Sequence, residues 1–151
     1  MTARIGSAVA AKVMGRITAD RELASLFSVG HVRSQNVPAD MAERGSVKYP
    51  AVNVYCEQIV NQLTEKFRTF SGTVHMAVEI RHSQDRLEGL QDSMDVYADA
   101  VAAVLEASRG DWGEGAFYSG GYRVAFGAVK QGGKNYIQAA KITFEIGVSK
   151  N

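Results

Sequence analysis

The chain has 151 residues and a mass of 16.3 kDa, the size of one ordinary domain, which can bury a core without disulfide or metal support. Seventeen Lys and Arg against sixteen Asp and Glu leave a formal net charge of +1, whereas a grip on nucleic-acid phosphates calls for a basic excess or stripe, so sequence-specific nucleic-acid binding is not expected. The single cysteine, Cys56, excludes an internal disulfide framework and a Cys-based zinc site, and fits synthesis in a reducing cytoplasm.

Lys12 and Arg16 interrupt the apolar N-terminal run, and nothing approaches ~18 uninterrupted apolar residues, so neither an export signal nor a membrane span is expected. Ile5, Val9, Val13 and Ile17 recur every fourth residue, which places an apolar stripe on a helix from about Thr2 to Ile17. Asp20 is placed to cap a short further helical turn carrying Leu23, Leu26 and Phe27, which Gly30 ends. Residues 31–48 are mostly polar, contain Asn36, Pro38, Asp40 and Gly45, and show no period, which reads as a long loop or flexible arm.

Val52, Val54 and Cys56 alternate with polar neighbours, as do Val74, Met76, Val78 and Ile80, and these are two half-buried strands. From Ser83 to about Ser108, Leu87, Leu90, Met94, Tyr97, Val101 and Leu105 recur at three- and four-residue spacings, which is the best-defined helix. Asp111 to Gly121 mixes Trp112, Phe117 and Tyr118 with glycines and reads as a turn-rich connection. Tyr122, Val124 and Phe126 then alternate in a third strand. Gln131-Gly132-Gly133 makes a turn, and Ala140, Ile142, Phe144, Ile146 and Val148 form a fourth strand. The order α-β-β-α-β-β predicts an α+β fold, one mostly antiparallel four-stranded sheet with two helices packed on one face, in a single domain spanning 1–151.

No arrangement of reactive side chains stands out. The run from Gly127 to Lys134 has the composition of a phosphate-binding loop, but its glycines and lysine are out of register, Asn135 stands where Ser or Thr belongs, and it joins two strands. His75 and Glu79 lie on one face of a strand some 13 Å apart by a rise of about 3.3 Å per residue, too far to share a metal. Cys56 is in phase with Val52 and Val54, so it packs as a small hydrophobe, and Asp92, Asp95 and Asp99 form a solvated helix face. No catalytic group, cofactor or metal site is expected. Trp112, Phe117 and Tyr118 are either an assembly contact or a small core beneath their loop. The outer faces of the strands carry Arg81, Arg123, Lys141, Thr143 and Glu145, a mixed-charge surface suited to meeting another copy of the chain or plain solvent surface.

Ile17-Thr-Ala-Asp-Arg-Glu-Leu-Ala-Ser-Leu-Phe27 after an amphipathic helix, Tyr49-Pro-Ala-Val-Asn-Val-Tyr55 opening the first strand, Gly72 to Arg81 leading into the long helix, and the closing hairpin from Tyr122 to Val148 together resemble the tail terminator and tail completion (head-tail joining) proteins of long-tailed bacteriophages. The resemblance covers nearly the whole chain. It implies a virion structural protein without enzymatic activity, assembled in the host bacterial cytoplasm. Its subunits, usually six, would form a ring that caps the head-proximal end of the tail tube, ends tube polymerisation and offers a surface to the neck. The implied partners are further copies of the chain, the tail tube protein, the neck or head-tail connector protein and, in a contractile tail, the sheath protein, with genome DNA passing through the lumen. Contacts are expected at Arg81, Trp112, Phe117, Tyr118, Arg123, Lys141 and Glu145. A completion or neck role on the same fold is the first alternative, a small ligand-binding α+β module the second, and an enzyme using His75, Glu79 or His82 the third.

Overall fold

A computed structural model describes residues 4–26, 32–33 and 49–151. In chain order the elements are α1 (Ile5–Ala19), α2 (Arg21–Leu26), β1 (Val32–Arg33), β2 (Ala51–Val60), β3 (Phe70–Gln84), α3 (Leu90–Ala107), β4 (Gly110–Gly113), β5 (Ala116–Tyr118), β6 (Tyr122–Phe126), β7 (Lys130–Gly132) and β8 (Asn135–Lys150).

Two long strands form the spine. β3 and β8 pair antiparallel along their whole length, from Phe70 opposite Lys150 to Gln84 opposite Tyr136. β2 lies antiparallel on the other side of β3, and β1 adds to β2 in parallel at Val32 and Arg33. The far edge of β8 is shared in succession by β5, β6 and β7, with β4 outside β5. The even-numbered residues Val74, Met76, Val78 and Ile80 of β3 and Ala140, Ile142, Phe144, Ile146 and Val148 of β8 are buried and form one core with all three helices. Strict alternation in both strands is what fixes this register, because a slip of one residue would turn each apolar set to the other face.

The helices lie on that one face. α1 contributes Val9, Ala10, Val13 and Ile17 and packs chiefly on β2, while α3 packs on β3 and β8 through residues including Met94, Ala98, Val101 and Leu105. Asp20 caps α2 by accepting the Leu23 backbone N–H at 3.0 Å, the use expected of a carboxylate at a helix start. The sheet curls round the helices until β4 meets α1, where Lys12 Nζ donates to the Trp112 carbonyl at 3.2 Å and the Arg16 guanidinium stands 4.6 Å from the Trp112 ring centre.

The expected four-stranded sheet with two helices is corrected by this architecture. Eight strands and three helices are present among the described residues, all strand pairs but β1–β2 being antiparallel. The four strands read from alternation correspond to β2, β3, β6 and β8. The remainder escape a periodicity reading because each has only two to four residues, too few to display a period. The segment read as a turn-rich connection is the β4–β5 hairpin, and Lys130–Gly132 forms the polar β7 against β8. The long helix begins at Leu90, not Ser83, because β8 holds β3 in the ladder as far as Gln84. Gly89 then takes φ +81°, which costs a glycine little, and Leu87 is left 57% exposed, off the apolar stripe. Of the expected arm at 31–48 only Val32 and Arg33 are described. Phe27 and Gly30 also lie outside the described residues.

Candidate assembly surface

No helix among the described residues covers the second face of the sheet. The pleat sends Tyr55 of β2, His75, Glu79 and Arg81 of β3, Arg123 of β6, and Lys141, Thr143 and Glu145 of β8 to this side. Several of its charges are paired along or across the strands. Glu79 pairs with Arg81 and accepts from the Tyr55 hydroxyl at 3.4 Å. Lys141 bonds Glu57 and stands 6.0 Å from the Tyr55 ring centre, while His75 Nδ1 lies 3.4 Å from Glu145 Oε1. Burial, then the Glu79 carboxylate, raises the Tyr55 hydroxyl above its usual range, and the hydrogen bond to Glu57 raises the Lys141 ammonium. Ala77 shows no exposure although it lies on this face, because its register partners are Tyr55 and Thr143. The arrangement is a nearly neutral polar sheet face, stiffened by cross-strand pairs.

The structure separates the residues considered for chemistry. His75 and Glu79 share the polar face but have different partners, whereas His82 turns to the helix side, edge-on to Tyr97 with ring centres 5.3 Å apart. Burial lowers the His82 imidazole below its usual range. Cys56 faces α1, half-buried, since β2 bulges between Cys56 and Gln58 and leaves the sheet surface there; burial raises its thiol. The glycine-rich Gly127–Lys134 segment runs from β6 through β7 to β8, with Gly127 N–H bonded to Ala139 O at 2.8 Å. Among the described residues no group of three or more His, Cys, Asp or Glu is placed to hold a metal ion.

The aromatic trio divides. Trp112 is 7% exposed and donates from Nε1 to the Ser108 carbonyl at 2.6 Å, and Tyr118 is fully buried between Trp112 and Phe144 with its hydroxyl on Gly121 O at 2.9 Å. Both belong to the subunit core. Phe117, on the opposite side of β5, is 53% exposed. Of the other expected contact residues, Arg123 and Glu145 are exposed on the polar face, while Arg81 and Lys141 are partly covered.

Two features were not singled out in the sequence. β6 has β8 on one side and, among the described residues, no strand on the other, and it carries the exposed Tyr122 and Phe126 on its helix-facing side. β2 beyond Asn53 is likewise unpaired on its outer side among the described residues, and between it and the start of α1 runs a groove of about 570 Å³. Alternation in Tyr122, Val124 and Phe126 was legible; that the strand ends the sheet was not.

A mostly antiparallel sheet backed by helices on one face and, among the described residues, covered by no helix on the other defines the fold class. Over 97% of its length the chain superposes on 99% of a chain from the virion of a native gene transfer agent particle, with a TM-score of 0.59 and 16% sequence identity. The two share a fold from end to end at a level of identity where sequence retains little of it. No family model matches the chain, and no curated protein matches it in sequence.

Proposed function

We propose that this protein is a structural component of a phage-like particle. In this reading its subunits close into a ring, six being the expected number, on the head-proximal end of a tail tube, where the ring ends tube growth and receives the neck. The observation that carries the reading is the end-to-end likeness to a virion chain, since it spans both molecules rather than one shared motif. Fold alone does not define function. Among the described residues, the charge-paired sheet face that no helix covers and the two unpaired sheet edges add support, because a subunit that repeats round an axis needs different surfaces on its two sides. The partners in this reading are further copies of the chain, the tube protein and the neck or connector protein, with the sheath protein added where the tail contracts. The role is mechanical and involves no chemical step.

The test is deletion of the gene from the phage or prophage that encodes it, followed by negative-stain electron microscopy of the induced lysate. Overlong, headless tails beside full heads establish termination of the tube. Tails of normal length lying apart from heads assign the chain to completion or joining instead. Infectious particles of normal form overturn the structural role.

A further inference from the structure

We infer that the two unpaired edges of the sheet are a matched pair, so that β6 of one copy adds to β2 of the next and the sheet runs on from subunit to subunit. The inference rests on the ring reading above and specifies how the ring is held.

Strand direction is the first argument. β2, β3, β8 and β6 lie side by side in that order, each antiparallel to the next, so an even number of strands separates edges of opposite direction. Rotation of a second copy about an axis along the strands keeps those directions. It therefore brings β6 against the next β2 antiparallel, continuing the alternation without a break. Two copies of the same edge would need a twofold axis, which closes a dimer and leaves the other edges open.

The second argument is shape. The helix-facing side of β6 projects Phe126, 43% exposed, and Tyr122, 37% exposed, whose hydroxyl donates to Glu106 of α3. On the same side of the sheet the β2 edge has a recess, the groove of about 570 Å³, lined in part by Ile5, Gly6, Ala10, Cys56 and Ile59 and in part by polar groups that include Arg4, Ser7 and Gln58. Ile59 itself is 46% exposed. Gly6 keeps the recess open, since a Cβ there would come within 3.2 Å of Cys56. A projecting aromatic pair on one edge and a recess of mixed lining on the other are complementary in shape, and the exposed Phe126 and Ile59 leave apolar surface in water without a partner.

Charge agrees on the opposite side. Arg123 is exposed on β6 with no acidic partner within ion-pair distance among the described residues, and the β2 edge carries Glu57, whose carboxylate already bonds Lys141 of its own chain. Augmentation adds the guanidinium as a second cation beside that Lys141–Glu57 pair. Register supplies a stagger as well. Within one chain Val124 is level with Val54, through Ile142 and Val78, but β1 occupies the β2 edge at Val52 and Asn53. The free segment begins beyond it, so Val124 meets the next copy near Cys56, a shift of about two residues or ~7 Å at the usual strand rise. Such a stagger, accumulated round the ring, is what closing a sheet on itself requires.

Cys56, the single cysteine, makes the inference directly testable. Within one chain β6 and β2 are separated by β8 and β3, three strand spacings of about 4.8 Å each, beyond the roughly 7 Å Cα separation that a disulfide spans. Val124→Cys and Phe126→Cys are introduced singly, the proteins are oxidised, and products are followed on non-reducing gels and by native mass spectrometry. The expected result is a ladder of disulfide-linked multimers from at least one of the two variants, absent when Cys56→Ser is added. Arg123→Glu is expected to weaken self-association about tenfold. Oligomers that form without any Cys56-dependent ladder, or with Arg123→Glu associating as well as the parent, overturn the edge pairing and leave the ring reading standing. A chain that stays monomeric at every concentration overturns both.

Discussion

Replacing Trp112 with alanine and, separately, Phe117 with alanine separates core from surface within the β4–β5 hairpin. Trp112 is 7% exposed, contacts Tyr118 at 5.6 Å between ring centres, lies under the Arg16 guanidinium and bonds the Ser108 carbonyl. Truncating a buried tryptophan costs about 3–5 kcal/mol, and the Ser108 carbonyl, left without its donor, adds on the order of 1 kcal/mol. A loss of about 4 kcal/mol lowers the melting temperature of a chain this size by roughly 8–16 °C. Phe117 is 53% exposed, so half of the ~1.5–3 kcal/mol that full burial of such a side chain is worth, about 1 kcal/mol, is at stake in the monomer. Both variants are to be melted in a calorimeter under conditions that keep the chain monomeric. Assignment of Trp112 to the core fails if Trp112→Ala loses under about 1 kcal/mol, or if Phe117→Ala falls as far as Trp112→Ala.

The buried Tyr118 hydroxyl has its pKa pushed up to about 12, chiefly by burial, from an ordinary value of 10.0. A raised pKa favours the protonated form in the folded chain, so its contribution is whole below pH ~10 and is lost as pH rises toward 12, and Tyr118→Phe should flatten stability against pH across that window in denaturant titrations. His82 is displaced the other way by burial, so the folded chain favours neutral imidazole; stability is whole above pH ~6.5 and falls below it, and His82→Phe should reduce that acid loss. At Gly72 an added Cβ would lie 1.9 Å from the Val60 carbonyl oxygen, so Gly72→Ala must displace β2 from β3 and is expected to cost about 1–3 kcal/mol, read from its urea midpoint. Ser71, 1% exposed, ties the β2–β3 loop by bonding Glu65 N–H at 2.9 Å and Glu65 O at 3.2 Å; Ser71→Ala should speed hydrogen exchange in residues 62–69 while leaving α3 protected.

The sequence alone determined the parts whose order is local. A four-residue period set the buried stripe of α1, and Asp20 three residues before Leu23 set the cap of α2. Alternation over many residues set the buried faces of β3 and β8, and with them the composition of the polar face: Arg81, Lys141 and Glu145 point away from the helices because parity leaves them no other side. Tertiary structure decided what period cannot express. Trp112 and Tyr118 sit in strands of four and three residues, where a hairpin and a turn-rich loop read alike, and only the approach of Arg16, Ser108 and Phe144 makes them core. Ser83 and Gln84 belong to β3 rather than α3 because β8 offers them partners from more than fifty residues away. The unpaired sheet edges were hidden for the same reason. A strand's own residues say which face is buried, but whether it ends the sheet depends on which strands fail to arrive beside it, and that is a property of the whole fold.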